Sequence, residues 1–456
     1  MASATQARKA RYEVVYPEQS LPAGRMVGLG LQHVIAMFGA TVLAPFLMGF
    51  DPNLAVFFSG IGTLIFMLVV RGRIPSYLGS SFAFIGPVIA AKANGGVPAA
   101  LGGIMAAAVV YFLIGLLVKT NSGTRVIATI MPPPVTAAVI AVIGIGLAPV
   151  GWSMASSDWT LALLTLAIAI IVAVGARGFT KLIPILVAVV AGYIIAALMG
   201  KVDFTNIVAA PWIAIPSFVF PTFSVQAMTL IIPVVVMLVA ENLGHVKAIS
   251  AYMERDLTPQ VGNAFMGDAI ATFVSALGGG TGQTTYAENI GVMSITKVYS
   301  IRPLQVAAVT AILLGFIPKF GAVIQSIPVP VMGGISLMLF GLIAGTSTKV
   351  ISTAKEDWGT LENFGVFGIS VAVCAALVGV FAANGAVNAA LQAANVAAET
   401  LPTTLSIGPI QLDAIGASTF VAVLLNLAIV LVKKLSPFVD DEAQDEAEAE
   451  DRTSPA

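Results

Sequence analysis

Charged residues are scarce in this chain of 456 residues, since Asp, Glu, Lys and Arg together make up 10% of it. Soluble domains carry roughly 25% charged residues, and a folded chain of this size could not cover its surface with so few. Hydrophobic residues reach 58%, and the mean hydropathy is +0.96. The composition therefore excludes a soluble globular enzyme and predicts a protein whose outer surface mostly faces lipid.

Two further scarcities narrow the function. The single cysteine, Cys374, cannot form an intramolecular disulfide, and two histidines with one thiol cannot build a typical zinc site. The net charge of −1 provides no field that would attract nucleic acid. We therefore expect no metal, no cofactor, no nucleic-acid partner and no enzymatic activity, which leaves the movement of a solute across the membrane as the function to be defined.

The two ends of the chain differ from the rest. Residues 1–25 contain no apolar run, so we expect no cleavable signal peptide there and interpret them as a cytoplasmic tail. From Met26 onward, apolar segments of about 17–23 residues follow one another, which is the length that crosses about 30 Å of hydrocarbon. Eight acidic residues between 440 and 451 predict a disordered cytoplasmic tail over 436–456.

The topology can be predicted from the basic residues, which recur in pairs with enough apolar sequence between successive pairs for two spans. These pairs are Arg71/Arg73, Lys119/Arg125, Arg177/Lys181, Lys247/Arg255, Lys297/Arg302, Lys349/Lys355 and Lys433/Lys434. Only Lys92, Lys201 and Lys319 fall on the other side. The positive-inside rule then predicts fourteen spans with both termini in the cytoplasm. The spans lie near 26–48, 54–70, 76–91, 97–118, 126–148, 160–176, 182–200, 226–246, 259–278, 284–297, 303–318, 327–346, 364–382 and 414–432.

Short internal matches indicate a repeat of seven spans. Ser-Ser-Phe-Ala at 80–83 parallels Thr-Thr-Tyr-Ala at 284–287, and Met-Pro-Pro-Pro-Val at 131–135 parallels Ile-Pro-Val-Pro-Val at 327–331. Because seven is odd, the second copy enters the membrane from the opposite side, as in many transporters. We therefore expect an inverted repeat with a first copy at 26–201 and a second at 202–435.

The third and tenth spans carry polar and aromatic residues, with glycines nearby, where a lipid-facing helix should be most apolar. Non-helical backbone is tolerated at membrane depth only where it lines a cavity or is buried in protein. We expect each of these two spans to be a short strand followed by a half-helix, with free N–H groups that face a polar solute. The alternative is a pair of ordinary helices with a glycine kink.

Three acidic residues fall well inside the predicted spans, namely Glu241, Asp268 and Glu288. An ionisable group in hydrocarbon is costly and usually marks a solute or proton path. Glu241 and His245 are four residues apart and share one helix face. One cavity could thus hold two carboxylates, an imidazole and the rings of Phe82 and Tyr286.

Structural roles remain open for each of these residues. The Glu241–His245 pair could join two helices, and Glu288 could cap the N-terminus of a half-helix. Asp268 could brace neighbouring helices, while Phe82 and Tyr286 could be plain packing residues. A further histidine, His33, is better explained by core packing than by contact with the solute.

The chemistry of such a cavity suits a flat, uncharged ring. No Lys or Arg lies near the centre of any predicted span, so a permanent anion would find no countercharge. Carboxylates accept hydrogen bonds from ring N–H groups, backbone N–H groups donate to ring carbonyls, and aromatic rings cover the faces. A pyrimidine or purine base satisfies all three requirements.

At these residues the chain resembles the uracil permease branch of the nucleobase–ascorbate transporter (nucleobase/cation symporter) family. The stretches that carry the resemblance are Leu-Gln-His-Val-Ile-Ala-Met-Phe-Gly-Ala-Thr at 31–41, Ser-Ser-Phe-Ala-Phe at 80–84, Ala-Glu-Asn-Leu-Gly-His at 240–245, and Tyr-Ala-Glu-Asn-Ile-Gly-Val-Met-Ser-Ile-Thr-Lys at 286–297. The last stretch fits the family signature Glu/Gln-Asn-x-Gly-x4-Thr-Lys/Arg. The resemblance covers the spans and leaves the tails and the segment 383–412 poorly matched.

The resemblance implies a core domain of spans 1–4 and 8–11, a gate domain of spans 5–7 and 12–14, and proton-coupled uptake at the plasma membrane, often by a homodimer. It implies that Glu241 and Glu288 hold the base and that Phe82 and Ala287 contribute backbone N–H groups. We add Tyr286 and Ala40 to the substrate-binding residues. For proton coupling we name Glu241, His245 and Asp268.

Two positions depart from the uracil branch. Glycine is expected where Ala287 stands, and an acid at the position of Asp268 occurs in purine members, where uracil permeases typically carry Asn. We predict a proton-coupled importer of uracil or a related pyrimidine. The alternatives are a xanthine or urate symporter of the same family and an anion exchanger or channel of the same fold, which the acidic, cation-free midplane disfavours.

Overall fold

The structure is a computed structural model that describes residues 14–354, 357–393, 401–408 and 410–435. The predicted acidic tail at 436–456 and the first thirteen residues of the predicted N-terminal tail lie outside the described residues.

The described chain is mostly helical, with two short antiparallel strand pairs. In chain order the elements are α1 (Ala23–Met48), α2 (Pro52–Val69), β1 (Leu78–Ser80), a 3-10 turn (Phe82–Phe84), α3 (Ile85–Val118), α4 (Asn121–Ile130), α5 (Pro133–Ala155), α6 (Trp159–Gly175), a 3-10 turn (Gly178–Leu182), α7 (Pro184–Leu198), α8 (Thr205–Ala209), α9 (Val225–Ile231), α10 (Val234–Met253), a 3-10 turn (Thr258–Gln260), α11 (Val261–Leu277), β2 (Gln283–Thr285), α12 (Ala287–Thr296), α13 (Ile301–Gly315), α14 (Pro318–Gln325), α15 (Val329–Thr353), α16 (Leu361–Ala393), β3 (Leu405–Ile407), β4 (Ile410–Leu412) and α17 (Ala414–Leu435).

Eight helical segments among the described residues are long and apolar enough to cross a membrane. A ninth is possible if α13 and α14, which are bent by 83° at their junction, form one span. The helices α6 and α7 are apolar but shorter, with 17 and 15 residues. The helices therefore support a chain that crosses the membrane many times. The count of fourteen spans stays a prediction.

Some helix boundaries differ from the predicted spans. The span predicted over 126–148 begins at Pro133, because three consecutive prolines, Pro132 to Pro134, start a new helix, and the preceding residues form α4. The span predicted over 364–382 continues as α16 to Ala393. In this extension Asn384 Nδ2 donates to Pro402 O over 2.7 Å. The β3–β4 hairpin within 383–412 was not predicted.

The strands β1 and β2 pair antiparallel in the register Leu78 with Thr285 and Ser80 with Gln283. Their outer backbone groups are satisfied by threonines from neighbouring helices. Leu78 N donates to Thr63 Oγ1 of α2 over 2.9 Å, and Gln283 N donates to Thr272 Oγ1 of α11 over 3.0 Å. The outward N–H groups of Leu78 and Gln283 thus each have a hydroxyl partner in an apolar interior.

The closest helix packing falls into two sets. The first set contains α1, α2, α3, α9, α11 and α13, and the second contains α5, α6, α7, α15, α16 and α17. Glycines allow close approach within each set, since a Cβ on Gly60 of α2 would lie 2.3 Å from Ala308 O of α13, and one on Gly144 of α5 would lie 2.4 Å from Phe340 O of α15. The helix α10 contacts helices of both sets. The strand pair lies beside α10 and contacts helices of the first set.

One end of the helix array gathers basic residues, and we call it the basic end. Arg71, Arg73 and Lys119 line one cleft there, and Arg255 joins the first two in a neighbouring cleft. The N-terminal segment crosses this end, where Val15 N donates to Lys297 O over 2.9 Å.

Candidate substrate site

Glu241 lies on α10 with its carboxylate directed at the strand pair. Ser81 Oγ, in the residue that follows β1, donates to Glu241 Oε2 over 3.2 Å. The side chain is partly exposed although it lies in the middle of an apolar helix. It forms no salt bridge with any described residue. A carboxylate in this position has capacity to accept hydrogen bonds from a bound molecule.

Glu288 is the second residue of α12, the helix that follows β2. Its place in the first turn puts a carboxylate at the positive end of the helix dipole. Glu288 is partly exposed and Ala287 is exposed, in contrast to the buried residues on either side. The two glutamates therefore reach the same strand pair from two helices, and both are accessible.

Open space adjoins both glutamates. A Cβ added to Gly244 or to Gly291 would meet no atom within 4 Å. Gly244 is three residues after Glu241 on α10, and Gly291 is three residues after Glu288 on α12, so each glycine shares a helix face with its glutamate. Each glutamate therefore lies on a helix face that has open space beside it.

Two backbone donors lie at the ends of the strands. Phe82 begins the 3-10 turn after β1, and Ala287 begins α12 after β2. The N–H groups at the start of a helix have no acceptor within it. Among the described residues, neither the Phe82 N–H nor the Ala287 N–H has a backbone acceptor. Both remain able to donate to a carbonyl oxygen of a ligand.

The rings at this site have different surroundings. Phe82 is 8% exposed and lies edge-on to Phe340 of α15, with the ring centroids 6.3 Å apart. Tyr286 is 3% exposed, and its hydroxyl donates to Ser80 O over 3.1 Å and accepts from Thr41 Oγ1 over 3.2 Å. Ala40 of α1 is buried. Tyr286 thus fixes the strand pair to α1, while Phe82 faces the second set of helices.

His245 lies one turn after Glu241 on α10 but does not bond to it. Its Nδ1 is 2.8 Å from Thr285 Oγ1, the last residue of β2. The imidazole therefore connects α10 to the strand pair, at a partly exposed position.

Asp268 of α11 is buried, with 1% of its surface exposed. Asn242 Nδ2 donates to its Oδ2. Neither Asp268 Oδ1 nor Asn242 Oδ1 has a hydrogen-bond partner among the described residues. Asp268 thus contacts α10 through Asn242, the residue that follows Glu241.

The arrangement has the chemistry of a site for a small polar molecule. Two accessible carboxylates and two free backbone donors meet beside a strand pair, and no group of metal-binding side chains is found among the described residues. Acceptors and donors converging in an apolar surrounding orient a ligand through complementary hydrogen bonds.

Comparison with known proteins agrees with this site. The sequence profile of the Permease family matches residues 24–382. The chain is 42% identical to the uracil permease of Bacillus caldolyticus over 77% of this chain and 85% of that protein. It is 36% identical to the uracil permease of Escherichia coli (strain K12) over 91% of this chain and 94% of that protein.

The chain belongs to the uracil permease branch of the nucleobase–ascorbate transporter family. The resemblance found in the sequence is thereby confirmed, and this permease is a transport protein of many membrane crossings and not an enzyme. A further relative is RutG of Escherichia coli (strain K12), whose name assigns it provisionally to the pyrimidine permeases, at 45% identity over 91% of both chains.

Solved structures show what fold this permease has. The transmembrane domain of BicA, a cyanobacterial bicarbonate transporter, superposes with a TM-score of 0.61 at 17% identity and covers 77% of this chain and 95% of that one. The murine anion transporter Solute Carrier 26 family member A9, in an inward-facing state, superposes with a TM-score of 0.62 at 10% identity. The match covers 91% of this chain and 69% of that one. At these identities the likeness concerns the fold alone.

Sequence reasoning missed several partners in this nucleobase–ascorbate transporter. Ser81 and Thr285 bond to Glu241 and His245, and Asn289 Nδ2 lies 3.0 Å from His33 Nδ1 and donates to His33 O over 3.1 Å. Ser81, Asn289 and His33 fall inside the matched stretches, and Thr285 immediately precedes the last of them, so their presence was visible. Which of them contact each other depends on the packing of segments that are 40 to 256 residues apart, and no local pattern contains that information.

Proposed function

We propose that this permease imports uracil or a related pyrimidine base across the plasma membrane together with a proton. The observation that carries the proposal is the convergence of Glu241 and Glu288 on one strand pair, both accessible and neither neutralised by a cation. The curated relatives that are uracil permeases supply the substrate class.

In the proposed complex, the glutamates accept hydrogen bonds from the ring N–H groups of the base. The N–H groups of Phe82 and Ala287 donate to its ring carbonyls, and the ring of Phe82 covers one face. Ala40 and Tyr286 are buried, so they act by shaping and holding the floor of the pocket. A methyl group at Ala287 narrows the pocket, which favours a single-ring base over a purine.

The proposed architecture has fourteen spans in two inverted copies, at 26–201 and 202–435, with β1 and β2 inside the broken third and tenth spans. Spans 1–4 and 8–11 would form the core domain, and spans 5–7 and 12–14 the gate domain. The two sets of closely packed helices support this division. The clustering of Arg71, Arg73, Lys119 and Arg255 at the basic end supports a cytoplasmic basic end, with both termini on that side. We further propose that two copies of the chain associate in the membrane.

The proposed coupling rests on charge. Moving a bare carboxylate through hydrocarbon is costly, so an ionised empty site resists rearrangement. Protonation of Glu241 removes one of the two negative charges of the site and so lowers the cost of the movement. His245 would assist by exchanging the proton, and Asp268, which lies next to Asn242, would respond to the charge on Glu241.

The first test is uptake and binding of labelled uracil by Glu288→Gln in a transport-null host. Removing the charged acceptor of a buried hydrogen bond costs about 1.5–3 kcal/mol, so affinity should fall by at least tenfold. Glu254→Gln is the matched control, because Glu254 is an exposed glutamate at the end of α10. Unchanged affinity in Glu288→Gln would overturn the site. Competition by xanthine or urate, but not by thymine, would instead support the purine alternative.

The second test concerns the proton. Uptake should rise as the external pH is lowered from neutral to mildly acidic and should collapse with a protonophore. Glu241→Gln mimics the protonated form, so it should retain exchange of base for base and lose accumulation against a gradient. If Glu241→Gln still concentrates uracil when a proton gradient is applied, the coupling residue is another one, and His245→Gln and Asp268→Asn are tested next.

The third test addresses topology. In a Cys374→Ala background, Thr120→Cys and Ser352→Cys should react with a membrane-impermeant thiol reagent only from the cytoplasm. Asn388→Cys should react only from outside. Labelling of Thr120→Cys from outside would contradict the fourteen-span arrangement.

A further inference from the structure

A cleft at the basic end is lined by three cations and two amides without any carboxylate. It has a volume of about 400 Å³, and its polar residues are Arg71, Arg73, Lys119, Gln260 and Asn263. Cavities that hold a small ligand or a ligand headgroup have this order of size. The cleft is at the end of the helix array, away from Glu241 and Glu288, so the proposed transport site does not account for it.

The turn after α2 brings two of the cations together. Arg71 and Gly72 both adopt the left-handed conformation, with φ of 53° and 67°. This conformation is sterically disfavoured for a residue that has a Cβ, so arginine at the first of the two positions is unusual. The turn is held by Gly72 N, which donates to Met67 O over 2.9 Å, and by Arg73 N, which donates to Val70 O over 3.1 Å.

The third cation comes from the end of α3, where two glycines allow α3 and α11 to touch. A Cβ on Gly262 would lie 2.7 Å from Lys119 N, and one on Gly115 would lie 2.9 Å from Met266 N. This contact sets Lys119 beside the amides at the start of α11. Asn263 Nδ2 donates to Gln260 Oε1 over 2.9 Å. Gln260 is held by this bond, and its own NH₂ group has no acceptor among the described residues.

Glu18 and Asp256 line the neighbouring cleft together with Arg71 and Arg73, but the three cations have no salt-bridge partner in the described part of the chain. The neighbouring Arg255, by contrast, is paired with Glu18 through two bonds of 2.8 and 3.1 Å. Three like charges around one cleft repel each other, and an anion that enters it relieves that repulsion. Arginine and lysine N–H groups together with a free amide are suited to phosphate oxygens.

Apolar surface adjoins the cations on the same elements. Leu68, three residues before Arg71, is 77% exposed, and Leu116, three residues before Lys119, is 44% exposed. Lys119 ends α3 in a helical conformation, so Leu116 is its neighbour on that helix, and Leu68 lies in the last turn of α2, just before the turn that carries Arg71. A ligand that reaches the cleft from the side thus meets exposed leucines next to the phosphate-binding groups. An anion with hydrocarbon chains fits both parts, whereas a free anion uses only one.

We propose that this cleft binds the phosphate of an anionic phospholipid headgroup, with the acyl chains lying along the exposed leucines of α2 and α3. Basic pockets between membrane helices recognise anionic lipids through the same contacts. Because the cleft is built by α2, α3 and α11, one bound lipid joins three helices of the first set at the basic end.

The test is a lipid titration of the purified full-length protein, followed by native mass spectrometry, with phosphatidylglycerol and phosphatidylcholine as probes. Arg71→Gln/Lys119→Gln removes two of the three cations. Since each cation near an anionic lipid changes affinity about fivefold, phosphatidylglycerol should bind about 25-fold more weakly to this variant. Arg177→Gln/Lys181→Gln is the matched control, because it removes the same charge from another basic segment and should change binding less than twofold.

Equal weakening in both double variants, or none in Arg71→Gln/Lys119→Gln, would overturn the proposal. Millimolar inorganic phosphate is the second arm. If it displaces phosphatidylglycerol fully from the wild-type protein, the cleft is a site for free phosphate and the lipid assignment is wrong. If the double variant does not fold, Arg73→Gln replaces it, since Arg73 has an ordinary backbone conformation, and a fivefold loss is then expected.

Discussion

Replacing Gly79 by alanine is a sharp test of how the strand pair is held. Gly79 is the middle residue of β1, and the ring of Tyr286 passes directly over it. A Cβ at Gly79 would lie 2.4 Å from Tyr286 Cζ and 2.5 Å from its hydroxyl oxygen. Ordinary contacts begin at 3.4 Å, so the ring must move by about 1 Å.

The cost of that movement can be worked out from the contacts of Tyr286. Its ring is buried, so a displacement of about 1 Å overpacks the surroundings at a cost of about 1–3 kcal/mol. The hydroxyl also loses its alignment with Thr41 and Ser80, and each of these bonds contributes about 1 kcal/mol. We therefore expect Gly79→Ala to destabilise the protein by about 3–5 kcal/mol. Uracil affinity should fall too, because Tyr286 precedes Ala287 and Glu288 in the chain.

The protein contains a convenient reporter of unfolding. Cys374 is its single cysteine and is buried, so a dye that fluoresces on reaction with a thiol reads out the thermal transition. Gly24→Ala is the control, since a Cβ there meets nothing within 4 Å. In a Tyr286→Leu background, Gly79→Ala should cost much less, because the ring is gone. An equal cost in both backgrounds would refute the reasoning.

Two smaller effects are expected elsewhere. Arg255 donates two hydrogen bonds to Glu18 and holds the pKa of this carboxyl below its usual value. The ion pair therefore stabilises the fold fully at pH values above the ordinary pKa of a glutamate. This stabilisation is lost as the pH falls through the lowered pKa of Glu18 in the folded protein. At neutral pH, Glu18→Gln should therefore unfold at a slightly lower temperature than the wild type. This difference should vanish in strongly acidic or high-salt buffer. A difference in unfolding temperature that depends on neither pH nor salt would contradict the ion pair. Gly60→Ala should destabilise by about 1–3 kcal/mol, because the added Cβ meets Ala308 O, a backbone atom that cannot rotate away. Gly28→Ala, with open space around it, should leave the unfolding temperature unchanged, and equal effects of the two changes would contradict the packing of α2 on α13.

Much of the outline was accessible from the sequence because the membrane imposes simple rules. Long apolar runs predicted the helices, although the span predicted to begin at residue 126 begins at Pro133, after the proline cluster interrupts the chain. The residue types of the site were accessible as well. Carboxylates are so expensive in apolar segments that Glu241 and Glu288 stood out from composition alone.

What the sequence could not provide is long-range geometry. The bond between Ser81 and Glu241 joins residues 160 positions apart, and nothing near either one indicates the other. The same holds for Tyr286, which was predicted as a substrate-binding ring and whose hydroxyl bonds to Thr41 and Ser80. A motif specifies that a residue is aromatic but not the orientation of its ring, which depends on the packing of distant helices.

The pairing of β1 with β2 also has a consequence for synthesis of the chain. The partners are about 200 residues apart, so at roughly 5–20 residues per second β1 waits about 10–40 s for β2 to be translated. During this interval its N–H and C=O groups lack their ladder partners, which hydrocarbon does not tolerate. The segment that contains β1 therefore has to be kept in a hydrated or protein-lined environment until β2 has been translated. A ribosome that stalls between the two strands would leave a half-inserted chain, and such a chain is the form that membrane quality-control proteases would be expected to recognise.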